Sequence, residues 1–242
     1  MTFIIVGASA GLGRSLSETY AANGYDLVLI SSDSRDLMAL RNHLISCYGV
    51  QISICEIDFL SPTIDFNLID AELMKYSPLM GILAPIGLVS DSDIVGLNSS
   101  LMNDILRINF ISPVTLINYF LPAIKANGGN IIGFGSIASA RGRQSNIAYA
   151  SAKAALQTYF EGLRFESYKY NFFVQFYTLG YMDTNLAFSK KLLFPVESTS
   201  IISQDVLKNM SVSSFYFLPR FWKPIFYIVR FLPWSLFKRI SF

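Results

Sequence analysis

A short apolar run that breaks into glycines constrains this chain more than any other stretch. Phe3, Ile4, Ile5 and Val6 lead directly into Gly7, Ala8, Ser9, Ala10, Gly11, Leu12 and Gly13, and a helical pattern then runs through Leu16, Tyr20 and Ala21. The order is strand, glycine loop, helix. An uninterrupted apolar strand asks for cover on both faces, as in a parallel sheet between helices. The glycines let the backbone approach a bulky anion such as a pyrophosphate, and the helix that opens there offers unpaired N–H groups and the positive end of its dipole. Turns use glycine too, so the loop needs company elsewhere in the chain.

That company lies between Ser136 and Lys153. Ile131 to Gly135 reads as a buried strand with Ser136 at its end, and Tyr149 and Lys153 follow in an alanine-rich stretch that favours helix. Four residues apart, the phenol and the ammonium share one helix face. A cation about 6 Å away, at an effective dielectric near 20, favours phenolate by roughly 3 kcal/mol and lowers a reference pKa of about 10 by about two units. Tyr149 is therefore expected to exchange a proton near neutral pH. A tyrosine and a lysine at this spacing are common by chance; the serine at the strand end, where open α/β sheets bind ligands, gives the pair its weight.

With these residues in place the chain resembles the short-chain dehydrogenase/reductase family, and the resemblance runs over nearly its whole length. It implies a Rossmann-type doubly wound parallel sheet of about seven strands with helices on both faces. It also implies hydride transfer between a nicotinamide and a carbonyl carbon. Ser136 would hold the carbonyl oxygen, Tyr149 would donate the proton, Lys153 would bind the ribose and lower the tyrosine pKa, and Asn109 would distort its helix and hold a relay water. Gly7, Ser9, Ala10, Gly11, Leu12, Gly13, Ser31, Ser32, Asp58, Phe59, Ala84, Met182 and Thr184 would join Tyr149 and Lys153 around the cofactor.

The pattern is not followed everywhere. Val6 stands where the family usually has threonine, Ala84, Pro85, Ile86 and Gly87 replace Asn-Asn-Ala-Gly, and Leu179 replaces the proline before Gly180. The hydrogen bonds normally made by the missing asparagines must come from elsewhere. Asp58 has a second reading, as the cap of the turn before Pro62. The second strand, Leu27 to Ile30, ends in Ser31 and Ser32 with no acid at its very end to take a ribose 2′-hydroxyl. Arg14 and the two hydroxyls could receive a 2′-phosphate, so NADP(H) is expected over NAD(H). Asn185 to Ser203 falls where the family keeps its substrate lid.

With 242 residues the chain has room for one sizeable core. The expected organisation is a Rossmann domain over residues 1–219, with 220–242 as a basic, aromatic extension of the same domain. Cys47 and Cys55 have no metal or disulfide spacing, His43 stands alone among polar neighbours, and no metal site is expected. The first apolar run lacks the basic flank and cleavage site of a signal peptide, which fits a cytoplasmic location. Ile108 to Ile124 carries no charge but is interrupted by Asn109, Pro113, Asn118 and Pro122, and reads as a buried helix.

A hydrophobic share of 52% suggests that some surface meets another subunit or a membrane, and a homodimer or homotetramer is expected. The net charge of +2 conceals an uneven distribution, because residues 206–242 hold six basic residues and no acid. Nucleic-acid binding, which needs a basic face over the fold, does not fit. The tail places Arg220, Lys223, Tyr227 and Arg230 on one side of a helix and Trp222, Ile225, Phe226 and Val229 on the other. This suits peripheral contact at the cytoplasmic membrane face, or packing on the domain itself or a neighbouring subunit.

The function expected is reduction of a ketone to a secondary alcohol on a small, sugar-linked or lipid-linked substrate, as in cell-envelope and polysaccharide biosynthesis. Two other readings stand beside it: the reducing half of a two-component epimerase, and a non-catalytic NADP-binding scaffold. The presence of Ser136, Tyr149, Lys153 and Asn109 together argues against the scaffold.

Overall fold

The computed structural model describes residues 1–76, 78–183 and 195–239. Strands and helices alternate from the start: β1 (Thr2–Val6), α1 (Gly11–Ala22), β2 (Asp26–Ser31), α2 (Ser34–Tyr48), β3 (Ile52–Glu56), α3 (Phe66–Leu73) and β4 (Leu79–Ala84). A long helical stretch follows in three parts, α4 (Ser99–Leu106), a π-helical turn (Arg107–Ile111) and α5 (Ser112–Asn127). Then come β5 (Asn130–Ser136), a 3-10 turn (Ile137–Ala140), α6 (Ile147–Lys169), β6 (Phe173–Leu179), α7 (Thr199–Lys208) and β7 (Ser214–Leu218). The chain finishes with α8 (Trp222–Phe231) and α9 (Trp234–Phe237).

The seven strands form one parallel sheet in the order β3-β2-β1-β4-β5-β6-β7. This is the doubly wound sheet expected from the sequence. Its order reverses between β1 and β4, which opens a crevice at the carboxyl ends of the central strands. Because strand side chains alternate, each strand supplies both layers. Ile4, Val6, Val28, Ile30, Ile82 and Ile131 pack with α5 and α6 through Leu116, Phe120, Leu156 and Phe160. Phe3, Ile5, Leu27, Leu29, Leu83 and Ile132 pack with α1, α2 and α7 through Leu16, Leu37, Leu40, Ile202 and Val206.

Local chemistry sets several boundaries. The Asp33 carboxylate accepts from the N–H groups of Arg35 and Asp36 to start α2, and Gly49 ends it in the left-handed region. Asp65 caps α3 in the same way through Asn67 and Leu68. Among the described residues, Ser99–Asn127 is the stretch long and apolar enough to cross a membrane. Its Leu116, Ile117, Phe120 and Ile124 are buried in the core, as expected of a helix lying on the sheet.

Candidate active site

The glycine loop folds back so tightly that a Cβ on Gly13 would collide with the backbone of Gly7 and Ala8, while Gly7 itself has φ of 70°. Ala10 caps α1 and offers no side-chain hydrogen bond, so the first N–H groups of the helix stay available. They border a cleft of about 580 Å³ lined by Gly7, Ala10, Gly11, Leu12, Ser31, Ser32, Asp58, Phe59, Tyr149, Lys153 and Met182 from the sequence-derived set. An open helix terminus beside a close-packed glycine turn fits a dinucleotide's pyrophosphate.

Other residues of that set stand behind the lining. The Ser9 hydroxyl lies 2.8 Å from that of Ser31. Ala84 is buried at the end of β4, and Asn109 is wholly buried. Thr184 and most of the expected lid lie outside the described residues. The far end of the lid stretch, Thr199 to Ser203, belongs to α7, where buried Ser203 meets the hydroxyls of Ser15 and Thr19 at 3.0 and 2.7 Å. Arg14 lies along the surface of α1 beside Glu18, at 3.4 Å. Asp58 lines the cleft and its carboxylate also accepts from Leu60 N at 2.9 Å, so its capping role is made in the same conformation.

Ser136 ends β5 and its hydroxyl accepts the Ala138 N–H at 3.2 Å, close enough to the Tyr149 phenol to act on its proton. The Lys153 ammonium is buried, 5.9 Å from the centre of the Tyr149 ring. It donates to the carbonyl oxygens of Ile86 and Phe134 at 3.2 and 3.1 Å. Burial pulls its pKa down to about 8. The tyrosine departs from the sequence expectation: loss of solvation pushes its pKa up, and the Ser136 hydroxyl offsets this only in part. In the free protein the lysine also serves two carbonyls, and the cost of burying a phenolate sets the direction of the shift.

Those carbonyl contacts also answer where the missing asparagines' hydrogen bonds went. The loop after β4 is tied at Ile86 by Lys153 and at Leu88 by Asn109. The Asn109 amide nitrogen donates to Leu88 O at 2.8 Å and to Ile105 O at 2.9 Å, and its oxygen accepts Leu88 N at 3.3 Å. By binding the carbonyl four residues back, the side chain competes with the helix ladder, and the π-helical turn lies around it.

A third tie comes from Asp93, which the sequence reading passed over. Its buried carboxylate accepts from the N–H groups of Ala148 and Tyr149, both at 2.9 Å, and its carbonyl accepts Asn146 N at 2.6 Å. Asn146, the N-cap of α6, has φ of 55° and makes no side-chain cap of its own. Asp93 thus caps the helix from another loop, at the backbone of the tyrosine itself. Its only sequence signal is an acid in a Ser-Asp-Ser-Asp stretch, 55 residues before Ala148. Asp93→Ala should cost about 2–4 kcal/mol in urea unfolding, because charge-assisted hydrogen bonds and a helix-end charge are lost together. Turnover should fall roughly tenfold through misplacement of the phenol, with the KM for cofactor changed less. Asp93→Asn, which keeps one oxygen acceptor, should recover part of both losses; equal kinetics in all three proteins would refute this positioning role.

Comparison with known proteins follows the same outline. The short chain dehydrogenase family model matches residues 1–192. An uncharacterised oxidoreductase of Bacillus subtilis, YmfI, is 28% identical over 187 residues, covering 76% of this chain and 76% of that protein. Dehydrogenase/reductase SDR family member 7B of Danio rerio is 30% identical over 190 residues, covering 76% of this chain and 62% of the relative. A short-chain dehydrogenase from Sphingobium yanoikuyae in complex with NADPH shares the fold with a TM-score of 0.82 at 21% identity, over 99% of this chain and 96% of that one. An alcohol dehydrogenase from Thermococcus sibiricus complexed with 5-hydroxy-NADP gives 0.80 at 20% identity, over 89% and 94% of the two chains. The glycine loop, the parallel sheet and a family match across most of the sequence agree: this chain belongs to the short-chain dehydrogenases, and it is an NAD(P)-dependent oxidoreductase.

Proposed function

We propose that the protein is an NADPH-dependent ketoreductase acting on a sugar-linked or lipid-linked carbonyl compound, with the cofactor laid along the cleft from Gly11 to Tyr149. The observation that carries this is the meeting of Ser136, at the end of β5, with Tyr149 and buried Lys153 on successive turns of α6, the last two lining the cleft. Once bound, a nicotinamide supplies the hydride. Ser136 orients the carbonyl oxygen, and Tyr149, kept protonated by its raised pKa, gives that oxygen its proton. Lys153 places a positive charge beneath the ribose end of the site, and Asn109, joined to the same loop at Leu88, positions the path by which a proton returns from solvent. Gly7, Ser9, Ala10, Gly11, Leu12, Gly13, Asp58, Phe59, Ala84, Met182 and Thr184 complete the cofactor set. Leu88, Val89, Leu179 and Met182 give the cleft an apolar share suited to an amphiphilic substrate.

Preference for the phosphorylated cofactor rests on the end of β2. Ser31 and Ser32 line the cleft there, while the Asp33 carboxylate is turned to its cap and to Arg35 at 3.2 Å. No carboxylate of β2 or its cap then opposes a 2′-phosphate. Arg14 beside Glu18 is exposed, so the gain from cations is small, and NADPH should bind about tenfold more tightly than NADH. Calorimetric titration with both cofactors measures this; equal or tighter NADH binding overturns it. The reaction is tested by loss of NADPH absorbance over a panel of keto-sugars and lipid-linked ketones. Failure of every carbonyl compound, with NADPH bound, would remove the ketoreductase reading. A homodimer or homotetramer working at the cytoplasmic membrane face completes the proposal, which fits a chain with exposed apolar groups on α6 and α8.

A further inference from the structure

The tail helix separates into two faces in a way its sequence pattern conceals. Trp222 and Phe226 are buried, and Ile225 and Val229 are partly buried, so the apolar stripe read from the sequence is used up on the protein's own core. Trp222 fills the space beside Gly180, where any Cβ would collide with its indole, and meets Tyr181 edge-on at 5.7 Å. That stripe is unavailable to a membrane. A second apolar set points outward instead: Tyr227, Ile228, Phe231, Trp234 and Leu236 are 45%, 64%, 75%, 64% and 51% exposed. Lys223, Arg230, Lys238 and Arg239 are exposed beside them, and no acid occurs after Asp205.

This outer face is fixed to the active-site wall. Arg141, five residues after Ser136, donates to the carbonyl oxygens of Val229 and Leu232 at the end of α8. Its guanidinium also lies over the rings of Phe237 and Trp234, at 4.4 and 5.9 Å from their centres. The orphan carbonyls of a helix end and two aromatic faces are thereby satisfied by one side chain from the loop that follows Ser136. At its other end, α8 is seated through Trp222 on the Gly180 turn, whose neighbours Leu179, Met182 and Asp183 line the cleft.

We propose that the outer face of α8 and α9 docks on an anionic lipid bilayer and, through Arg141 and Trp222, holds the substrate mouth toward the headgroups. The proposal deepens, and rests on, the reading of the substrate as a lipid-linked or amphiphilic carbonyl compound. Exposed aromatics interleaved with cations match the polar-apolar boundary of a bilayer, where the rings bury their apolar bodies and the cations meet anionic headgroups. A second copy of the chain fits this face poorly. Two-fold pairing would bring the same patch onto itself and crowd two sets of Lys223, Arg230, Lys238 and Arg239 together, with no acid from the tail to pair them.

The test is co-sedimentation of the full chain with vesicles of phosphatidylcholine alone and with about a third phosphatidylglycerol, at low salt and at about 0.5 M salt, where the Debye length is only a few ångströms. Binding is expected with the anionic vesicles at low salt, at least roughly tenfold weaker with neutral vesicles or high salt. Phe231→Ser with Trp234→Ser, and separately Arg230→Glu, should each weaken it roughly tenfold or more while NADPH affinity, measured as a check on folding, stays within about twofold. No sedimentation with anionic vesicles, or variants that bind like wild type, overturns the proposal. So does a variant that drops to a smaller oligomer in size-exclusion chromatography, which would give the face to a second copy. Reduction of soluble ketones is scored separately: vesicle binding without reduction supports docking and removes the ketoreductase reading, and reduction without vesicle binding does the reverse.

Discussion

Tyr149→Phe should lower turnover by about 10²–10⁴-fold while leaving the dissociation constant for NADPH within about twofold of wild type. The substitution removes one oxygen and keeps the ring, so the packing of α6 against the loop after β4 is retained. What disappears is the proton donor and the neighbour of the Ser136 hydroxyl. A thousandfold loss corresponds to about 4 kcal/mol of transition-state stabilisation, the scale of one positioned acid and far above that of a lost packing contact at a partly exposed ring. Single-turnover kinetics with saturating NADPH isolate the chemical step. If the variant keeps more than a few per cent of wild-type turnover, Tyr149 is not the acid. The raised pKa adds a sign: the phenol stays protonated through neutral pH, so reduction should not weaken between pH 6 and 8 through loss of the tyrosine proton.

The fold was legible because its signals are local and repeated. Unbroken apolar strands such as Phe3 to Val6 and Leu27 to Ile30 recur between helical stretches, and a parallel sheet is the architecture that buries both faces of each. The glycine loop was legible for a related reason: Gly13 faces Gly7 at a separation that admits no side chain, a constraint written in one short segment. The order of Ser136, Tyr149 and Lys153 was legible as spacing, although spacing did not carry the electrostatics. The ammonium does lie beside Tyr149, 5.9 Å from the ring centre, but the carbonyls that share it and the solvent stripped from the phenol leave no mark in the spacing.

What could not be read was long-range. Asp93 reaches α6 across more than fifty residues, and an acid capping a distant helix leaves no local pattern. The replacement of the family asparagines is of the same kind, since Lys153 and Asn109 approach the loop after β4 from different parts of the chain, and Asp93 within that loop reaches out to α6. The tail, for which packing on the domain itself was one of the readings left open, shows the converse case. Its helical periodicity was real, but periodicity reports an amphipathic helix without saying which partner takes the apolar stripe. Gly180 and Tyr181 take it here, and the lipid-facing candidates are the residues between the stripe and the cations.

Lys153→Met is the other change expected to have a large effect, and it separates catalysis from stability. Turnover should fall by at least about a hundredfold, and NADPH should bind roughly tenfold more weakly, because an ammonium that would meet the cofactor is replaced by an apolar chain of similar length. Unchanged cofactor affinity in a fluorescence titration would contradict the ribose role. The pKa of about 8 adds a pH signature in the free enzyme, which kcat/KM for NADPH reports: charge is present below that value and is lost above it, so kcat/KM should decline as pH rises past about 8. Stability moves the other way. With its folded pKa depressed from 10.5 to about 8, the folded protein binds fewer protons than the unfolded chain between those values, so burying the lysine becomes less costly as pH rises through that window. Urea unfolding of wild type and Lys153→Met at pH 7.5 and about 9.5 reads this directly: wild type should gain stability relative to the variant by on the order of 2 kcal/mol at the higher pH, close to its tyrosines' ordinary range but below it. A difference that stays constant across that interval would mean that the lysine is better solvated than its position beneath Ile86 and Phe134 requires.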